Sequence, residues 1–240
     1  MRIAALVLSL CLLAPGGTAR AADPTAALAP FLGAPYRDDG VDDPAGRHTL
    51  FADQAASFPT AGYNCSGFVT TASRRLLGRP LPLDAARHDR KGDSGPGSPR
   101  GQDWDFGYDL LLNITDGLPR RVLPPNAPTS DPAALDASRF RGFPLHDKAS
   151  FDAALNALRP GEMAVIAFSK ERKGRLYYYH VGLIVSDGQG RRFLYHATPG
   201  HGVHRLEISS PTGMAAFGRE FAEKRFGDKR VLLVAVPLPR

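Results

Sequence analysis

Tyr63-Asn64-Cys65-Ser66-Gly67-Phe68-Val69 is the stretch from which the fold is read. Cys65 opens an amphipathic helical pattern whose apolar face carries Val69, Ala72, Leu76 and Leu77. Arg74 and Arg75 fall in its last turn, and Gly78 is suited to ending it. A thiol in the first turn of a helix meets unpaired backbone N–H groups and the positive end of the helix dipole, and both favour thiolate. The expectation is therefore an exposed thiol at a cleft floor, with its pKa lowered. The competing reading is a buried, inert cysteine, the usual fate of a free thiol.

The N-terminus bears on that choice. Met1-Arg2 precedes an apolar run from Ile3 to Leu13, too short to span a bilayer, and Ala19-Arg20-Ala21 places small residues where a signal peptidase reads. Residues 1–21 read as a secretory signal peptide, and the mature chain, 22–240, as a single exported domain, secreted or periplasmic, with no transmembrane segment. A lipidated Cys11 is disfavoured because the bulky Leu10 precedes it. Of the two cysteines, Cys11 leaves with the signal and Cys65 stays alone. An unpaired cysteine in an exported protein is a candidate reactive thiol, and it forms neither an internal disulfide nor a zinc site by itself.

The formal charge of +6 falls to +4 when Arg2 and Arg20 depart. This mild excess suits anionic envelope polymers, and no dense Lys/Arg run interleaved with aromatics points to nucleic acid. Five acids between Asp38 and Asp53 lack the spacing of an EF-hand and read as a solvated loop. Residues 92–146 read as a long irregular insertion rich in Gly and Pro, with only a short helical turn between Leu110 and Ile114. Within it, Asp103, Trp104, Asp105 and Tyr108 join aromatic surface to carboxylates, so Trp104 is expected either to line a substrate wall or to anchor the insertion by burial. Asn113-Ile114-Thr115 is an acceptor for glycosylation only in a host that glycosylates.

From Ser150 the pattern is regular again. A helix face (Phe151, Ala154, Leu155, Leu158) is followed by strand patterns at 162–168, 175–185, 191–197, 203–208 and 230–236, with a helix near 214–225. Asp187-Gly188-Gln189-Gly190 reads as a hairpin turn. A cysteine-bearing helix followed by an antiparallel meander is an α+β layout. The hairpin would set His180 and His196 on neighbouring antiparallel strands, where the two imidazoles meet on one face. His196, His201 and His204 match no standard zinc spacing, so no metal is expected, nor any cofactor.

Four boxes in order resemble one family. Asn64-Cys65-Ser66-Gly67-Phe68-Val69 resembles the Asp-Cys-Ser-Gly box of NlpC-type cell-wall peptidases, members of the papain-like superfamily. Pro160-Gly161-Glu162 resembles their Pro-Gly-Asp, His180-Val181-Gly182-Leu183 their His-Val-Gly-Ile, and Tyr195-His196-Ala197 their aromatic-His-Ala. The resemblance runs in pieces from Leu32 to the C-terminus. It implies a papain-like core, with the cysteine helix packed on an antiparallel sheet. It implies Cys65 as nucleophile, His180 as general base and acid, and His196 as the residue orienting His180, with Tyr36 as the active-site tyrosine. The implied reaction is hydrolysis of amide bonds in peptidoglycan stem peptides through a thioester. Tyr36, Asn64, Ser66 and Trp104 are the expected substrate-binding residues.

Three features depart from the family pattern. Asn64 stands where the family has Asp, the interval from Tyr36 to Cys65 is long, and the 92–146 insertion has no counterpart in the minimal domain. Other readings on the same scaffold are a muramoyl-alanine amidase or an acyltransferase, and from another class a catalytically silent wall-binding protein.

Overall fold

The computed structural model describes residues 23–95, 97–98, 100–101, 103–123, 125–222 and 228–239. The signal-peptide reading of 1–21 lies outside them, as does the end of the helix expected to reach Arg225.

Asp23 caps a short helix α1 (Pro24–Leu28), which runs into a 3-10 turn at Ala29–Phe31. A small antiparallel hairpin follows, β1 (Gly40–Asp42) with β2 (His48–Leu50). The acids here are not all solvated as the sequence suggested. Asp42 is buried, accepts the Tyr63 hydroxyl at 2.7 Å and lies 2.6 Å from His48 Nδ1.

Helix α2 (Cys65–Leu77) obeys its pattern at both ends. The Asn64 side chain caps the start, and Gly78 ends it in the left-handed conformation (φ 61°), which costs glycine nothing. Gly67 is required for a different reason. A Cβ there would stand 1.7 Å from the Gly40 carbonyl oxygen, so only glycine lets α2 lie against β1. Helix α3 (Leu83–Ala86) leads to the region read as an irregular insertion, and here the structure corrects the expectation. The short turn at Leu110–Ile114 is part of a nine-residue helix, α4 (Phe106–Ile114), and Tyr108, Leu110, Leu111, Leu112 and Ile114 are buried in the main core. Asn113, the glycosylation acceptor, is buried too, donating through Nδ2 to the Ala86 and His88 carbonyls. After α4 come β3 (Arg121–Val122), a 3-10 turn at Pro132–Ala134 and β4 (Phe143–Pro144).

The expected meander forms from α5 (Lys148–Ala157) onward: β5 (Glu162–Arg172), β6 (Arg175–Ser186), β7 (Arg192–Thr198), β8 (Gly202–Glu207), α6 (Pro211–Glu220) and β9 (Lys229–Pro237). These strands make a seven-stranded sheet in the order β3-β9-β5-β6-β7-β8, with β4 also on β9, and every pairing is antiparallel. The result is an α+β fold. Helices cover both faces of the sheet, so its central strands are near-continuous apolar runs. Met163, Val165, Val181, Leu183, Leu232 and Val234 face the core shared with α2 and α4. Ala164, Ile166, Phe168, Ile184, Leu194 and Val231 face a second core with α5 and α6.

Among the described residues, no helix is long and apolar enough to cross a membrane.

Candidate active site

The start of α2 is built by local hydrogen bonds. Asn64 Oδ1 accepts from the Gly67 N–H at 2.7 Å and the Ser66 hydroxyl at 2.9 Å, and the Asn64 N–H reaches the Gly40 carbonyl at 3.3 Å. Asn64 is thus a helix cap as well as the residue before the nucleophile candidate. Ser66 is buried with its hydroxyl turned to that cap. Tyr36 is drawn in by a backbone clamp, in which Arg37 N donates to Tyr63 O and Tyr63 N to Pro35 O. Its hydroxyl pKa is raised by burial, by the neighbouring Cys65 and by Asp38.

Cys65 is partly buried. Its thiol faces the backbone N–H groups of Val181, Ser66 and Cys65 itself. The Val181 contact ties helix to strand. The β6–β7 ladder runs from Ser186↔Arg192 to Leu183↔Tyr195 and stops there, so the strands part before Val181 and the thiol lies at the opening. The expected lowered pKa is corrected. Burial pushes the thiol up, the three N–H groups offset this only in part, and Asp38 adds to the rise. A helix start stabilises a thiolate, but here loss of solvation outweighs it.

The two histidines meet as the hairpin reading required. His180 Nε2 is 3.0 Å from His196 Nδ1, with the rings at 78° to one another. Both lie on the face carrying the second core. Phe168 lies against His180 (5.2 Å between ring centroids), and Phe221 against both imidazoles. Burial removes the solvation of an imidazolium, and the nearby His204 adds its charge, so the pKa of His180 drops to about 3. His196 is pushed well below its ordinary value, first by burial and then by His180, His204 and His201. Cys65 and His180 therefore rest as a neutral thiol and a neutral imidazole. When His180 Nε2–H donates to His196 Nδ1, the His180 Nδ1 is the ring nitrogen left to receive a proton.

Trp104 is packed against Tyr178 of β6. It is 1 % exposed, its indole N–H donates to Asp93 at 3.1 Å, and its carbonyl accepts from Tyr178 N at 2.8 Å. It anchors the 92–146 segment and offers no wall to a ligand. The sequence reading also missed residues that the fold adds. His204 pairs directly with His196 across β7 and β8, a position legible once those strands are read as a hairpin. Glu220, at the end of α6, brings Oε1 to 3.0 Å from His204 Nε2 and 3.3 Å from His196 Nε2, and no spacing in the sequence announces it. His196, His204 and Glu220 together present the kinds of atoms that hold a metal.

No family model matches the chain, and no curated protein matches it. Among solved structures it is similar to two crystal structures of an N-acetylmuramoyl-L-alanine amidase from Bacteroides uniformis ATCC 8492. The 1.15 Å structure is 12 % identical with a TM-score of 0.45, over 91 % of this chain and 98 % of that one. The 1.30 Å structure is 11 % identical with a TM-score of 0.45, over 91 % and 99 %. A likeness at this level says nothing about which residues act in this chain.

Proposed function

We propose that the chain is an exported cysteine hydrolase of the NlpC type with a papain-like core, cleaving amide bonds in peptidoglycan stem peptides. The observation that carries this reading is the thiol of Cys65 at the start of α2, held against the N–H of Val181, the residue that follows His180, whose Nε2 is engaged by His196.

On this reading Sγ attacks the scissile carbonyl carbon as His180 Nδ1 takes the thiol proton. Because both groups rest neutral, that transfer accompanies attack; no thiolate–imidazolium pair stands ready beforehand. The carbonyl oxygen becomes an oxyanion near the N–H groups of Cys65 and Ser66, which first-turn geometry leaves without helical partners. Collapse expels the amine, which leaves with the proton from His180. Water then adds to the thioester, giving a carboxylate and the free thiol. His196 holds His180 in the required tautomer. Tyr36 and Asn64 border the thiol on the substrate side.

Digesting purified stem peptides and muropeptides and identifying the fragments by mass tests the proposal. A new carboxyl and amine within the stem peptide is the expected result. Release of the intact stem from muramic acid would instead make it a muramoyl-alanine amidase. A second reading, a catalytically silent wall-binding protein, is favoured by the raised thiol pKa. Intact substrate after long incubation, together with a thiol inert to alkylation, would decide for it.

A further inference from the structure

We propose that His196, His204 and Glu220 form a site for a zinc-class divalent cation, and that filling it withholds the base from Cys65. The first part rests on the geometry of these three residues, and the second on the cysteine-hydrolase reading above.

His204 Nδ1 lies 3.1 Å from the Gly202 carbonyl, an acceptor only, so the ring N–H is on Nδ1. A neutral His204 then points the lone pair of Nε2 at Glu220 Oε1, 3.0 Å away. Two acceptors face each other, and only a cation between or upon them reconciles them. A proton on His204 would suffice for that pair. His196 Nε2, which is 0 % exposed on its side chain, also stands 3.3 Å from the same carboxylate in a geometry that makes no hydrogen bond. A metal ion satisfies all three atoms at once.

The spacing suits it. Ligands at zinc's usual 2.0–2.1 Å in a tetrahedron stand about 3.3 Å from one another. The atoms here stand 3.0 and 3.3 Å from Glu220 Oε1, and all lie within 4.8 Å of each other. Two imidazoles and a carboxylate are a borderline-soft donor set. His204 carries the backbone-carbonyl partner on its second nitrogen that ligating histidines use. The ring pair is fixed by the cross-strand match of His196 with His204, and Phe221, next to Glu220, stacks on His196 at 28°.

The consequence follows from proton placement. With a cation on His196 Nε2, its proton sits on Nδ1 and is donated to His180 Nε2 at 3.0 Å. His180 must then carry its own proton on Nδ1, the nitrogen that would take the thiol proton. A loaded site thus holds the hydrolase off.

The purified, metal-stripped mature chain titrated with Co²⁺ tests this. A one-to-one complex with tetrahedral d–d absorption is expected, displaced by Zn²⁺ and lost in both His204→Ala and the near-isosteric Glu220→Gln, with folding checked by circular dichroism. Stoichiometric Zn²⁺ should suppress stem-peptide hydrolysis in the wild type, and a chelator should restore it. Absence of a complex in the wild type, or undiminished binding in both folded variants, overturns the site. So does binding that disappears in Cys65→Ser and survives in the other two, since the thiol would then be the ligand. A cobalt complex formed while zinc leaves hydrolysis untouched overturns the blockade. Failure of the cysteine reading is seen separately, as a chain that binds cobalt and cleaves nothing with or without metal.

Discussion

The Cys65 thiol receives the backbone N–H of Val181, at the place where strands β6 and β7 cease to pair. A helix tip thus inserts its sulfur where the sheet opens, and the two histidines flanking that opening hold each other through a 3.0 Å contact. Solvation is scarce there, and this sets how the thiol and imidazole titrate.

Alkylation of Cys65 should reflect that scarcity. Burial and Asp38 raise its pKa, so iodoacetamide should modify the folded protein at neutral pH more slowly than a free thiol. The inflection of rate against pH should lie above the free-cysteine value of about 8.5. Asp38→Asn removes a neighbouring negative charge and should move the inflection down. Mass spectrometry of the modified peptide reads the result, and an inflection well below the free value would contradict the desolvated setting.

The histidines should differ in severity. His180→Ala should lower turnover of the cleaved stem peptide by about 10²–10⁴-fold, the range for losing a general base. His196→Gln should keep part of the activity, because its amide oxygen can still accept from His180. Steady-state kinetics on folded variants checks this. Equal loss in both would remove the distinction between base and orienter.

Trp104→Ala should cost on the order of 3–5 kcal/mol, as for other large core truncations. The ring is buried, its N–H is paired with Asp93, and its edge lies against Tyr178. Urea unfolding measures the change. An unchanged midpoint with impaired hydrolysis would return Trp104 to the substrate.

Gly67→Ala should destabilise by about 1–3 kcal/mol, as overpacking does. Alanine is the better helix former by about 1 kcal/mol, so propensity alone has the opposite sign. Contact with the Gly40 carbonyl decides, since a Cβ would reach 1.7 Å from its oxygen. A rise in Tm would refute the close approach of α2 to β1.

Asp109 should make stability fall with rising pH. Burial lifts its pKa from 3.8 to about 7, the Arg90 N–H offsets this in part, and Asp105, Asp89 and Asp93 push it further up. Between those values the folded state holds a proton that the unfolded state has released. The stabilisation is full below 3.8 and is lost as pH rises through about 7. Asp109→Asn should flatten that slope, read from urea midpoints at about pH 5 and about pH 8.

Much of this was legible in the chain. Periodicity and capping residues suffice for α2, because Asn64 and Gly78 act on their own helix ends. The apolar runs of β5 and β6 and the Asp187–Gly190 turn are equally local, and they set His180 and His196 on adjacent strands.

Only the tertiary structure decided the rest, because it depends on groups far apart in sequence. The 92–146 segment looks irregular by its glycines and prolines, yet Tyr108 and Leu111 enter the main core once β6 is there to receive them. The electrostatics of Cys65 were misread for the same reason. A helix start can be seen in the sequence, whereas the desolvation that outweighs it comes from the body of the fold packed around the thiol. Glu220 reaches His196 and His204 because α6 returns across the sheet, and residue spacing carries no trace of that return. Local chemistry singled out the candidate side chains, and long-range packing determined their charge and their company.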